Sequence, residues 1–395
     1  MASDYDVVVA GGGINGVGVA QTAAAAGHSV LLLEKTALAA GTSSKSSKLI
    51  HGGLRYLESW EFSLVREGLR ERALNLRLAP ELVQLKPFYI PVYKSTRRRP
   101  WLVRTGLSLY AVLGNLRQAV RFESVPRKRW GDLDGLITDD LEAVFRYWDA
   151  QTDDAALTAA VMNSAIGLGA ELAVPAELMG AERKRDRVVV NYLEDGHQRT
   201  CEAKVLVNAG GPWVNRVLER IVPAPLQRRI DLVQGTHIVV PGQVTNGLYY
   251  VEVPRDGRAV FVMPWKGNTL VGTTETRFSG DPDEVQPLRA EKNYLKRVLI
   301  RHFPRYSGNK HLDILEAFAG LRVLPAGEGH AFHRSRETIL DVEPQGDGRP
   351  QILSIYGGKL TSWRATAEKV LKRIASALPH RSPKADTHDL TLSPP

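Results

Sequence analysis

The chain has 395 residues, 43% hydrophobic and 24% charged, a length that favours two domains and a balance that excludes a disordered or fibrous protein. Its one cysteine, Cys201, excludes an intrachain disulfide, and the opening MASDYDVVVAGG lacks the basic start of a signal peptide, so a cytoplasmic location is expected. The net charge of +9 points to anionic partners and leaves nucleic acid, an acidic membrane surface and a small anionic substrate open, although scattered Lys and Arg speak against a nucleic-acid arm.

Asp6 to Ala10 reads DVVVA, a β-branched run suited to a strand buried on both faces of a parallel sheet. It enters Gly11-Gly12-Gly13-Ile14-Asn15-Gly16, then an Ala- and Val-rich helix to about Ala26 with Gly27 as C-cap, then a strand from Ser29 to Leu33 ending at Glu34. Strand, glycine turn, helix, strand and acid together predict a dinucleotide site. Gly11 serves the tight turn, Gly13 the approach of a pyrophosphate and Gly16 the packing of helix on strand, while free N–H groups at the helix start face phosphate. An acid at position 34 favours an unphosphorylated ribose, as in NAD or FAD.

Residues 39–56 are rich in glycine and small hydroxyl groups, which suits a segment laid along a dinucleotide. Together with AGGGINGVGVA, the run TSSKSSKLIHGGLRYLE resembles the FAD-dependent glycerol-3-phosphate dehydrogenases, the respiratory flavoproteins that feed quinones. Three later segments match the same family in order: Val207-Asn208-Ala209-Gly210-Gly211-Pro212-Trp213, Gly235-Thr236-His237-Ile238-Val239-Val240 and Tyr356-Gly357-Gly358-Lys359-Leu360-Thr361.

The resemblance implies an α/β protein. A Rossmann-like FAD-binding domain of the glutathione-reductase/D-amino-acid-oxidase type, assembled from 1–90, 150–225 and 316–380, is joined to a mixed, largely antiparallel substrate domain from 91–149 and 226–315. Residues 381–395 read as a polar tail, and the helical cap that follows in relatives is expected to be missing. Along FAD the resemblance places Gly11, Gly13, Ile14, Asn15, Gly16, Glu34 and Lys35, then Thr42, Ser43, Ser44, Ser47, Lys48, Leu49, His51, Gly52 and Gly53. Leu178 is expected to bond the adenine through its backbone. Ala209, Gly210, Gly320, Arg322, Gly357, Gly358, Lys359, Leu360 and Thr361 complete the set, with the last helix, expected to reach about Leu378, aiming its N-terminus at the flavin.

Between these segments, Glu61 to Leu78 reads as an amphipathic helix stopped by Pro80. Lys94-Ser95-Thr96-Arg97-Arg98-Arg99-Pro100-Trp101 leads into the apolar run Leu102–Leu113, which is too short to span a bilayer and suits a peripheral membrane contact or a solvated charge run before a core helix. Asp153 to Leu168 reads as a helix, and Leu172–Leu178, Val188–Leu193 and Cys201–Val207 as strands. HIVV, LYYVEV, AVFVMPW and TLVGTTE alternate as an antiparallel sheet does.

Oxidation of a secondary alcohol by a flavin needs an anion anchor, a proton acceptor and a carbon held over the flavin. The candidate anchors are Arg55, Arg322, Arg336 and Lys359, with Tyr56 holding substrate. His237, then His51, are candidate bases, and Arg322 a charge stabiliser. The expected reaction is sn-glycerol 3-phosphate to dihydroxyacetone phosphate, with FAD the first acceptor and a quinone the second. An oxygen-using amine or 2-hydroxy-acid oxidase of the same fold is the alternative. Dispersed histidines and one cysteine give no metal-ligand spacing.

Overall fold

A computed structural model describes residues 3–116, 118–254, 257–308, 312–327, 337–344 and 348–395. Arg334 and Arg336 lie outside the described residues.

The run DVVVA forms β1 (Ser3–Ala10), whose Val7, Val8 and Val9 are fully buried. β1 is the centre of the first sheet. It pairs in parallel with the strand Val30–Leu33 on one side and with the last part of His197–Asn208 on the other. His197–Asn208 changes partner along its length: its first half runs antiparallel to Val188–Glu194 and its end runs parallel to Pro350–Tyr356. The long-range parallel pairing gathers segments far apart in sequence onto one nucleotide sheet. Over it packs α1 (Ile14–Ala25), an Ala- and Val-rich helix buried nearly all round because the helices Asp154–Gly167 and Trp363–Ile374 lie against it.

The second sheet is built round Ile230–Val240, which pairs antiparallel with Asn268–Gly272, Thr276–Phe278 and Glu316–Pro325. Ala259–Trp265 and Leu248–Glu252 extend it, and a parallel step joins Leu248–Glu252 to Val83–Tyr93, which runs antiparallel to Leu141–Thr152. Helix Arg289–His302 covers one face.

Four expectations change. Glu316–Pro325, allotted to the nucleotide unit, pairs with Ile230–Val240 over ten residues and so belongs to the second sheet. Val83 to Ile90, Leu49–Ile50 and residues 150–152, allotted to the nucleotide unit too, fall in that sheet as well. The last helix ends at Ile374 in a 3₁₀ turn over Ala375–Ala377. The polar tail is pinned to the nucleotide unit: Arg381 pairs with Asp6, the Lys384 N–H donates to the Ala25 carbonyl at 2.7 Å, and Leu392 is buried.

Candidate active site

A cavity of about 890 Å³ runs between the two sheets, in the size range of a site for a large cofactor with a small substrate. Its floor is the turn after β1. A Cβ at Gly16 would fall 1.9 Å from the Gly11 carbonyl oxygen, and one at Gly11 would fall 2.7 Å from the Ala209 oxygen. Strand, turn and helix therefore approach as closely as a main chain without side chains allows. The Gly12 N–H donates to Glu34 Oε2 at 2.7 Å, while the Thr36 N–H and hydroxyl hold Oε1. The acid is thus fixed at the cavity edge. Ile14 differs from expectation: its N–H donates to Ser43 Oγ at 2.9 Å, because the hydroxyl lies beside a helix start that has no cap of its own.

The last glycine segment closes on the first. Asn15 Nδ2 donates to the Gly357 carbonyl at 3.2 Å, and Gly358, at φ +121°, leaves the space that Asn15 fills. Thr361 Oγ1 bonds both the N–H and the carbonyl of His51.

Arg55, Tyr56, Arg322 and Lys359 line the wall, and Lys45, which was not among the expected site residues, joins them. The Lys359 ammonium lies 4.0 Å from the Tyr56 ring centre. Arg322 donates to Glu275 Oε1 at 2.7 Å and to the Thr274 carbonyl at 3.0 Å, so its guanidinium is held in one plane. Glu275 was not foreseen, since an isolated acid after a strand carries no motif.

His237 is 2% exposed, stacks on Phe318 and meets Ser47 Oγ through Nε2 at 3.0 Å. Burial, and then the charges of Lys48 and Arg322, push its pKa down to about 3. It is neutral at physiological pH and holds a proton poorly. The unfolded chain takes up that proton near pH 6.5. The stability His237 contributes is therefore complete above about pH 6.5 and is lost as pH falls towards 3, at ~1.4 kcal/mol per pH unit. His302, lowered by burial to about 4, adds to the same trend. Urea melts between pH 6.5 and 4.5 are expected to show a gentler loss for His237→Gln than for the parent; equal slopes refute the assignment.

Of the nominated residues, Gly16, Ser44 and Lys48 stay outside the cavity wall, Arg336 lies outside the described residues, and the others line it. Gly16 acts through packing. Lys48 is a correction: its ammonium pairs with buried Asp154 at 2.6 Å and bonds the Ser44 carbonyl, so neither its charge nor that carbonyl is directed to a cofactor. At the far end the wall includes Trp213, Arg216 and a segment, 282–287, carried by the second sheet. Asp283 there pairs with Lys35 at 2.7 Å and with Arg216 at 3.3 Å. The Leu178 carbonyl accepts from the Arg220 side chain.

The wall fits FAD on its own evidence: a main-chain cradle that any side chain would fill, an anchored acid at its rim, and two buried polar atoms of wall residues, Asn15 Oδ1 and Trp213 Nε1, with no partner among the described residues. The fold and this cradle define a flavin-dependent oxidoreductase. A family model described as FAD dependent oxidoreductase matches residues 6–362, and the chain belongs to that family.

Among its relatives, the chain is 37% identical over 393 residues to the D-erythritol 1-phosphate dehydrogenase of Brucella abortus, covering 98% of this chain and 76% of that one. It is 39% identical over 382 residues to the glycerol-3-phosphate dehydrogenase of Pseudomonas aeruginosa, covering 95% and 72%. The crystal structure of glycerol-3-phosphate dehydrogenase from Bacillus halodurans complexed with FAD superposes with a TM-score of 0.73 at 26% identity, covering 99% of this chain and 68% of that one.

Proposed function

We propose that the protein oxidises sn-glycerol 3-phosphate to dihydroxyacetone phosphate. The observation that carries this reading is the presence of four cations, Arg55, Arg322, Lys359 and Lys45, in the wall of a cavity that fits FAD, in a chain whose relatives are named for glycerol 3-phosphate and erythritol 1-phosphate. FAD supplies the hydride acceptor when bound.

The protein's part is binding, orientation and proton handling. Arg55 and Lys359 grip the phosphate, a forked cation and a point charge suited to a dianion. Tyr56, beneath the Lys359 ammonium, fixes its direction. Arg322, held flat by Glu275 and Thr274, faces the hydroxyl that becomes the ketone and stabilises negative charge on its oxygen. His51 takes the hydroxyl proton. It replaces His237 in that role, because an imidazole with a pKa near 3, engaged by Ser47, takes up a proton poorly at pH 7.

The test is a visible spectrum under anaerobic conditions. The purified protein is yellow and bleaches on addition of glycerol 3-phosphate; a flavin that stays oxidised sinks the reading. Peroxide release under air at the rate of turnover would favour an oxidase over delivery of electrons to a quinone.

We also propose a peripheral contact with the inner membrane on its cytoplasmic face, near the quinone. Among the described residues no helix is long and apolar enough to cross a membrane. Trp60, Trp101 and Leu102 are 78%, 68% and 43% exposed, which suits the interfacial region of a bilayer. The basic cluster contributes less than its composition suggests, since Arg98 is paired with Glu58 and Glu252. Trp60→Ala with Trp101→Ala is expected to reduce sedimentation with anionic vesicles several-fold, and Arg98→Ala to reduce it little; unchanged sedimentation of the double variant removes the proposal.

A further inference from the structure

Beneath the cavity a chain of polar groups crosses the interior. Arg72, Asp149 and Tyr110 are 2%, 1% and 0% exposed and come from the helix Phe62–Leu78, the strand Leu141–Thr152 and the helix Pro100–Leu113. Arg72 Nη1 pairs with Asp149 Oδ1 and donates to the Trp148 carbonyl at 2.8 Å, while Nη2 donates to the Ala119 carbonyl at 3.1 Å. The Tyr110 hydroxyl donates to the Asp149 carboxylate, 2.9 Å from Oδ2. Burial, and then the Asp149 charge, keep that hydroxyl protonated. Its oxygen accepts the Gly52 N–H at 2.9 Å.

The chain therefore ends on a single peptide of the cavity wall. That peptide joins His51 to Gly52, and its other polar end is held as well, since the His51 carbonyl accepts from Thr361 Oγ1 at 3.2 Å. Gly53, at φ +78°, and Gly52, with no side chain, leave the main chain here free to turn the peptide over. Apolar packing alone would join the same three elements at lower desolvation cost, because a buried ion pair is a poor source of net stability. What apolar packing cannot do is choose which way one amide points.

We propose that Tyr110 is a positioning residue of the active site: with Asp149 and Arg72 behind it and Thr361 opposite, it locks the His51–Gly52 peptide in one orientation and so sets both the His51 side chain and the main-chain dipole presented to the flavin. The inference rests on FAD binding and not on the identity of the substrate, so its spectral test fails or succeeds independently of the proposed reaction.

Tyr110→Phe removes the acceptor for the Gly52 amide while keeping the ring. Tyr249→Phe is the control: it deletes a comparable hydrogen bond, Tyr249 to Asp134 at 2.6 Å, in a core away from the cavity wall. Tyr110→Phe is expected to shift the visible absorption of bound flavin, to weaken FAD affinity, and to lower kcat about tenfold with KM nearly unchanged. Tyr249→Phe lowers the melting temperature without the spectral change. If both variants show the parental spectrum and kcat, the network is structural and the proposal falls. If Tyr110→Phe does not fold, Thr361→Val frees the other end of the same peptide, and a parental spectrum there overturns the proposal equally.

Discussion

Gly16→Ala yields a protein that is largely colourless. The added Cβ stands 1.9 Å from the Gly11 oxygen, 3.1 Å from the Gly11 carbon and 3.3 Å from the Ala209 Cβ, so the glycine turn itself has to move. None of these atoms belongs to a flexible side chain. Overpacking of this kind costs about 1–3 kcal/mol. The larger effect is on the ligand, because displacing the Gly11–Gly13 backbone destroys the surface on which a pyrophosphate lies. Bound FAD measured after gel filtration is expected to fall at least tenfold, and the melting temperature several degrees, by the usual scaling of stability to melting. Gly106→Ala serves as the comparison: a Cβ there meets nothing within 4 Å, and a helical Gly→Ala change is neutral or mildly stabilising. Full flavin content in Gly16→Ala means that the turn does not carry the cofactor.

Arg322→Ala leaves the flavin in place and lowers kcat/KM by roughly 10²–10³, the scale seen when one donor that stabilises developing charge is removed. Three features set this size. The guanidinium is only 23% exposed, it is held by Glu275 and the Thr274 carbonyl, and it shares the wall with Arg55 and Lys359. Loss of the cation also leaves the 9% exposed Glu275 carboxylate facing an anionic substrate, which adds repulsion to lost attraction. Arg322→Lys recovers only part, because an ammonium cannot hold the carboxylate and the carbonyl in one plane. Steady-state kinetics within threefold of the parent, with normal flavin content, rule Arg322 out of the chemistry.

The nucleotide half of the fold was readable because its signals are local. The β-branched run, the glycine turn, the Ala-rich helix and Glu34 follow one another within thirty residues, and each meaning survives without knowledge of the rest of the chain. The strands Val83–Tyr93 and Leu141–Thr152 were not singled out, and the reason is chemical. The first contains Pro87 and Pro91, which normally argue against a paired strand, and the second carries Arg146, Asp149 and Gln151 among its apolar residues. Tertiary contacts reverse both signals, as Arg72 takes up the Asp149 charge. At the site, glycines and hydroxyls were legible as a cradle, whereas pairings were not. Lys48 was read as a cofactor contact because it sits among such residues, yet its partner Asp154 lies 106 positions away and no local pattern announces it. Glu275 and the segment 282–287 reach the cavity only because the second sheet folds over the first, and Lys45 meets Gly320 of that sheet there.

The strand Glu316–Pro325 brings Gly320 against Lys45 and Arg322 beside Glu275 while hydrogen-bonded throughout to Ile230–Val240. The wall opposite the glycine turn is thus made by the second sheet, which also carries Arg322 and Glu275. Grafting the turn and its helix onto another scaffold would transplant half a cavity wall, so in this architecture yellow colour is inherited only with the second sheet in place.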